Sequence, residues 1–251
     1  MTTTPDPRPD QTDRDLTAAL AELARVEHGR TPLSEGARVV ASTVRDLLAD
    51  TTEVSVTLLE KGRPRTVAAT GALAVQLDER QYAARTGPCL DAARSGRTVA
   101  LALQEATGAY PEFVRSALDQ HVSHSLSVPA PAPDRAGWRV ALNVYALSGE
   151  PFSAAARSGV ERFAPYAGTF LANLDHHHAA VLLAEGLQQA MRSRAVIEQA
   201  KGVLMAREHC SAEQAFELLV HKSQRDNVKL RDVAQALVER VTRREGTGPT
   251  A

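Results

Sequence analysis

Apolar residues recur at helical intervals through Leu16, Leu20, Leu23 and Val26. They do so again through Val39, Val40, Val44, Leu47 and Leu48, behind Ser34 as a cap. Two amphipathic helices are predicted at the start of the chain. The period then changes. Glu53 to Glu60 (EVSVTLLE) is β-branched and partly alternating, and a turn at Lys61-Gly62-Arg63-Pro64 leads into a second strand, Arg65 to Thr70. Leu73 to Arg85 fits either a helix or a mixed segment. Pro88 suits the first turn of a short helix that Gly96 breaks. Thr98 to Leu103 gives a third strand, and Pro111 to His121 a helix that turns Phe113, Val114, Ala117 and Leu118 inward. Strands at His124–Ala130 and Trp138–Leu147 pair across a loop of Pro131, Ala132, Pro133 and Asp134. Short turns between strands, with helices gathered beside them, define an α+β domain around an antiparallel sheet.

From Ser153 no strand pattern returns, and the chain reads as helix to about Arg244. Pro165 implies a kink or a fresh helix start. Residues 163, 167, 170, 174, 177, 181, 184, 188 and 191 (Phe, Ala, Phe, Leu, His, Val, Ala, Gln, Met) make an imperfect four-three repeat. Such a stripe forms a seam with a second copy of the chain, or packs on the sheet of its own domain; a homodimer through this connector helix is the expectation. Three helices close the chain. Val196, Ala200, Val203 and Leu204 line the first, which ends at Glu208-His209-Cys210. Ser211 and Gln214 form a capping box that opens the second, with Ala215, Phe216 and Leu219 inward. Asn227 is expected to cap the third, whose Leu230, Val233, Ala234, Leu237, Val238 and Val241 keep an unbroken helical spacing.

Composition narrows the classes. The 251 residues suit two domains; 43% are hydrophobic and 24% charged, as in a globular protein. No apolar run approaches the roughly 18–20 residues that cross a bilayer. The opening MTTTPDPRPDQTDRD reads as a loose tail rather than a secretion signal, so a cytoplasmic protein without membrane contact is expected. Net charge is −1 over the chain, yet residues 192–245 hold eleven basic and eight acidic side chains. That local excess of three suits contacts to a few phosphates.

The stretch from Arg194 to Val238 resembles the ANTAR family, the RNA-binding domains of transcription antitermination regulators. The resemblance rests on Ala200-Lys201-Gly202-Val203-Leu204-Met205, on the spacing Ala215, Leu219, Ser223, and on Asn227 with Lys229-Leu230-Arg231-Asp232-Val233-Ala234. It covers about a fifth of the chain. It implies binding of paired RNA hairpins at their loops, and the candidate RNA-binding residues are Arg194, Lys201, Ser223, Arg225, Asn227, Lys229 and Arg231. Arginine and lysine would hold phosphates, while Ser223 and Asn227 would either address bases or cap helices. Ala200 and Gly202 read as packing residues. With Phe216 inward and no Tyr or Trp in the module, aromatic stacking is not expected to be its main device.

The α+β order of residues 16–175 resembles a GAF domain, a sensory fold. Its most specific match is Gly87-Pro88-Cys89-Leu90-Asp91-Ala92, a run similar to that of actinobacterial proteins joining GAF to ANTAR. The implied organisation is a tail at 1–14, a GAF-like sensory domain at 15–175, connector helix and ANTAR domain at 176–245, and a tail at 246–251. A small-molecule ligand of the GAF-like domain is expected, but its cofactor or ligand does not follow from fold. Cys89, at a helix N-terminus, is a redox candidate, or else a buried packing residue; Cys210, in a turn, stands in the same position. His176-His177-His178 lie about 100° apart in turn along a helix and do not converge on one metal ion. No catalytic residues, metal site or enzyme activity are expected. The function expected is a signal-responsive antitermination regulator; the alternative is a regulator whose helical module docks a partner protein.

Overall fold

The computed structural model describes residues 11–48, 52–106, 108–132, 135–147 and 152–245, without the side chains of 11–13, 242, 244 and 245. Most of the expected tails, 1–10 and 246–251, and Pro133 and Asp134 of the expected loop lie outside them. The elements are α1 (Gln11–Ala24), α2 (Leu33–Asp46), β1 (Thr52–Glu60), β2 (Arg63–Ala69), α3 (Ala72–Ala84), α4 (Pro88–Ser95) and β3 (Val99–Ala102). They continue with α5 (Pro111–Asp119), β4 (His124–Ala130), β5 (Trp138–Ala146), α6 (Ala154–Glu208), α7 (Ala212–Asp226) and α8 (Leu230–Glu245). The chain divides into two compact units, one ending at Ala179 and one beginning at Ala180.

The first unit is α+β. Its antiparallel sheet has the order β2-β1-β5-β4-β3. Lys61 and Gly62 both take positive φ, so a two-residue turn joins β1 to β2, which starts at Arg63 rather than after Pro64. Pro64 is tolerated because β2 is an edge strand. The undecided segment after it is helix: the Glu53 carboxylate on β1 accepts the Ala74 N–H at 2.8 Å and caps α3 from another element.

Strand alternation gives the sheet two unlike faces. Val54, Val56 and Leu58 of β1, Leu126 and Val128 of β4, and Val140, Leu142 and Val144 of β5 share one face. They form a core with Ala37, Val40, Ala41 and Val44 of α2 and Val160, Phe163, Ala167 and Leu171 of α6. Gly168 permits this approach: a Cβ there would lie 2.2 Å from the Pro131 carbonyl oxygen and 2.7 Å from the Ala130 carbonyl carbon. The opposite face carries Ser55, Thr57, Ser125, Ser127, Asn143 and Tyr145, all buried, with α3, α4 and α5 on that side.

Pro165 starts no new helix. α6 runs through it, while Phe163, Ala164 and Ala167 around it are buried in the sheet core, whose packing outweighs one lost backbone bond. The apolar stripe of the connector divides at Leu174. Phe163, Ala167, Phe170 and Leu174 pack within their own domain, whereas residues 179–192 are exposed throughout. The large apolar side chains there are Val181, Leu182, Leu183, Leu187 and Met191. Of the three most exposed, Leu183 and Leu187 stand one position before the expected seam residues 184 and 188, and Met191 is itself an expected seam residue.

The second unit is three-helical. Ala200, Leu219, Val233 and Ala234 form its centre, bordered by Val196, Ile197, Leu204, Leu230, Leu237 and Val238.

Candidate functional site

Local chemistry sets the turns of the second unit. His209, at φ 50°, follows the end of α6. Ser211 Oγ then accepts the Gln214 N–H at 3.3 Å while Gln214 Oε1 accepts the Ser211 N–H at 2.9 Å, the expected capping box. Asn227 caps the other helix from the one expected. With φ 51° it is the left-handed C-cap of α7, its N–H returning to the Ser223 and Gln224 carbonyls. The Ser223 hydroxyl donates to the Val228 carbonyl at 2.5 Å and so holds the α7–α8 turn closed.

The candidate RNA-binding residues separate into two groups. Lys201 bonds the Glu198 carboxylate at 3.0 and 3.1 Å with only 18% of its side chain exposed. Arg225 Nε and Lys222 Nζ share Asp226, at 3.2 and 2.6 Å, and both bonds hold that carboxyl below its ordinary range. Arg231 Nε rests on Asp232 at 3.2 Å. Arg194 and Lys229 are exposed, without an ion pair among the described residues. Arg194 and Lys201, seven positions apart, share a face of α6.

Two packing expectations need correction. Ala200 is buried, but Gly202 is exposed, and a Cβ added to it would meet nothing within 4 Å. Phe216 is 41% exposed. The three-helix core is small and filled by Ala215 and Leu219 on α7, so the wider apolar arc read for that helix is not all needed. An aromatic ring is therefore presented at the surface.

In the first unit the polar sheet face carries a buried hydrogen-bond network. Asp78 of α3 accepts from the Tyr145 hydroxyl at 2.6 Å, the Thr66 hydroxyl at 2.7 Å and Asn143 Nδ2 at 3.4 Å. Asn143 Nδ2 also donates to Thr57 Oγ1 at 2.8 Å and Ser55 Oγ at 3.1 Å. Gln81 donates to the Tyr145 oxygen at 3.0 Å and accepts the Cys89 N–H at 2.9 Å. Gly87, at φ 156°, stands so near that a Cβ would lie 2.4 Å from Gln81 Oε1. Burial without a cation partner among the described residues pushes Asp78 up to about 6, against the lowering by its hydroxyl donors. Three buried polar atoms on this face, Ser125 Oγ, Ser127 Oγ and Asn143 Oδ1, have no hydrogen-bond partner among the described residues.

Cys89 sits beneath this network, fully buried at the start of α4. Its redox candidacy rested on a thiol acidified by a helix N-terminus. Burial, reinforced by nearby Asp78, instead pushes the thiol well above its ordinary value, so the packing alternative describes it better. Cys210 is part-buried beside the Leu204 carbonyl, with Sγ 3.8 Å from that oxygen. Among the described residues no group of three or more His, Cys, Asp or Glu is placed to hold a metal, and no helix is long and apolar enough to cross a membrane.

The chain therefore joins an α+β domain with one hydrogen-bonding sheet face to a capped three-helix unit with surface cations. Residues 185–238 match the ANTAR domain family. The first unit has the GAF-like fold. The GAF domain of a phosphoenolpyruvate-protein phosphotransferase from Acinetobacter superposes with a TM-score of 0.50 at 17% identity, covering 69% of this chain and 98% of that one. The phycoerythrobilin-bound GAF domain of a cyanobacterial phytochrome gives 0.50 at 12% identity, covering 68% and 100%. No curated protein sequence matches the chain. The chain thus joins a unit of GAF-like fold to a segment that matches the ANTAR domain, an RNA-binding domain of transcription antitermination regulators.

Proposed function

We propose that the chain is a signal-responsive transcription antitermination regulator that binds RNA hairpins through its last three helices. The match of residues 185–238 to the ANTAR domain, on a unit folded as three capped helices, carries this reading. Lys229 and Arg194 are its most available phosphate contacts, being exposed and without an ion pair among the described residues. Lys201 would first exchange its acidic neighbour for a phosphate, whereas Arg225 and Arg231 meet theirs through Nε and keep their terminal nitrogens. Ser223 and Asn227 serve the α7–α8 turn, with the Asn227 side chain still at the surface. Crosslinking and sequencing of RNA bound in the cell tests the reading. Recovery of paired hairpins from terminator regions supports it, and an RNA-free protein refutes it.

The GAF-like domain is the proposed sensor, in a cytoplasmic and non-catalytic protein. Support comes from its buried polar face, where an apolar face would fold at lower cost, and from three unpartnered atoms that a small polar ligand would satisfy. Two copies are proposed to pair along α6. Ala180, Leu183, Leu187 and Ala190 repeat at three-four-three spacing, and Leu183 and Leu187 are 65% and 58% exposed. A signal would then act by changing how two ANTAR domains are presented to two hairpins. Light scattering of the double variant Leu183→Asp, Leu187→Asp should give a monomer where the parent gives a dimer.

A partner-protein reading has one observation in its favour, a groove of about 580 Å³ lined by Leu218, Val228, Val233 and Leu237. Salt separates the two, since RNA binding weakens steeply as salt rises.

A further inference from the structure

Of the candidate cations above, Arg231 lines a cleft that α6 and α8 form together, where it meets residues that the sequence pattern did not mark. Gln189, Arg192, Ser193 and Val196 stand at successive helical intervals on one face of α6. Opposite them are Arg231, Asp232 and Gln235, from the first turn and a half of α8; the cleft holds about 310 Å³. It is polar and its charge is unbalanced. Two guanidinium groups share it with one carboxylate, and that carboxylate is bonded to Arg231 through Nε at 3.2 Å. Arg231 keeps its two terminal nitrogens for another acceptor, and Arg192 has no ion pair among the described residues. Gln189, Gln235 and Ser193 add neutral donors around the same space.

Two arginines lining one cleft repel each other unless an anion lies between them. With one, each makes charge-assisted bonds, and the fork of a guanidinium fits the oxygens of a phosphate. The start of α8 adds the positive end of a helix dipole beside Arg231. We infer that the Arg192–Arg231 cleft is a binding site for an RNA backbone phosphate, with Gln189 and Gln235 as flanking donors. The inference rests on the RNA reading above and deepens it. It moves one grip of the module to the α6–α8 side and adds Arg192, which the family pattern did not mark.

The test uses the full chain and a fluorescein-labelled RNA of two short-looped hairpins with randomised loops, because a phosphate contact is indifferent to base sequence. Fluorescence anisotropy is followed over a salt series for the parent, Arg192→Gln, Arg231→Gln and Arg192→Lys, with circular dichroism to check helix content. Each glutamine variant should bind about fivefold more weakly and lose roughly one unit from the log–log salt slope, with Arg192→Lys keeping most of the slope. Parent binding with Arg192→Gln unchanged in affinity and slope would overturn the cleft and leave the RNA reading standing. A parent that binds no RNA even at low salt overturns both.

Discussion

Asp78→Asn should remove a pH dependence that the first unit carries in its interior. The Asp78 carboxyl is raised from 3.8 to about 6 by burial, so the folded chain holds this proton more tightly than the unfolded chain. Acid therefore favours folding at this site. The contribution is complete below about 3.8 and is lost as pH rises through about 6, a span of about 3 kcal/mol at ~1.36 kcal/mol per unit. Between pH 8 and pH 5 the native state should gain about 1.4 kcal/mol from this residue, close to a tenfold change in the unfolding constant. Tyr82, Tyr145 and Cys89, the titratable groups around it, are all pushed upward and stay neutral across that window. Trp138 is the one tryptophan of the chain and is buried on β5, so its fluorescence reports unfolding of this unit alone. Urea unfolding should show the stability of the parent rising, relative to Asp78→Asn, as pH falls from 8 to 5. Other titrating groups cancel in that difference. A flat difference, or one that grows toward alkaline pH, would refute the account of the network.

Three further outcomes follow from packing and caps. Gly168→Ala should destabilise the first unit by about 1–3 kcal/mol, because its methyl meets the Ala130–Pro131 backbone; the same urea assay reads it. Ser211→Ala should cost about 1 kcal/mol through loss of the Gln214 N–H bond, seen as a lower melting temperature of an isolated 180–251 fragment if that piece folds, or of the second transition in the full chain. Cys89 should resist a thiol reagent in the native state and react only on unfolding, whereas part-buried Cys210 reacts first; mass spectrometry of partly labelled protein separates them.

Much of the fold was legible along the chain. Strand alternation at Glu53–Glu60 and the unbroken apolar spacing of Leu230 to Val241 report local geometry, and local geometry is what periodicity encodes. Ser211 with Gln214 was readable for the same reason, since both partners of the capping box lie within four residues. Asn227 was assigned to the wrong helix. A residue between two helices caps either, and only its φ of 51° decides. Phe216 is exposed, since a spacing pattern gives a face but not how much of it three short helices can cover; Gly202 meets no neighbour, since a glycine does not by itself mark a close helix contact.

The sequence by itself determined the element order, the α+β then all-helical division and the ANTAR resemblance, because these depend on neighbours within one or two turns. Tertiary structure decided what depends on residues far apart. It set Asp78 against Tyr145 and Asn143, 67 and 65 positions away, and it capped α3 with Glu53, 21 positions upstream. It turned the start of the connector stripe into domain core and left Leu183 and Leu187 exposed. It also faced Arg192 toward Arg231 across a cleft. None of these pairings has a period. Each arises because strand pairing and helix packing bring separate stretches together, and a one-dimensional pattern does not carry that distance.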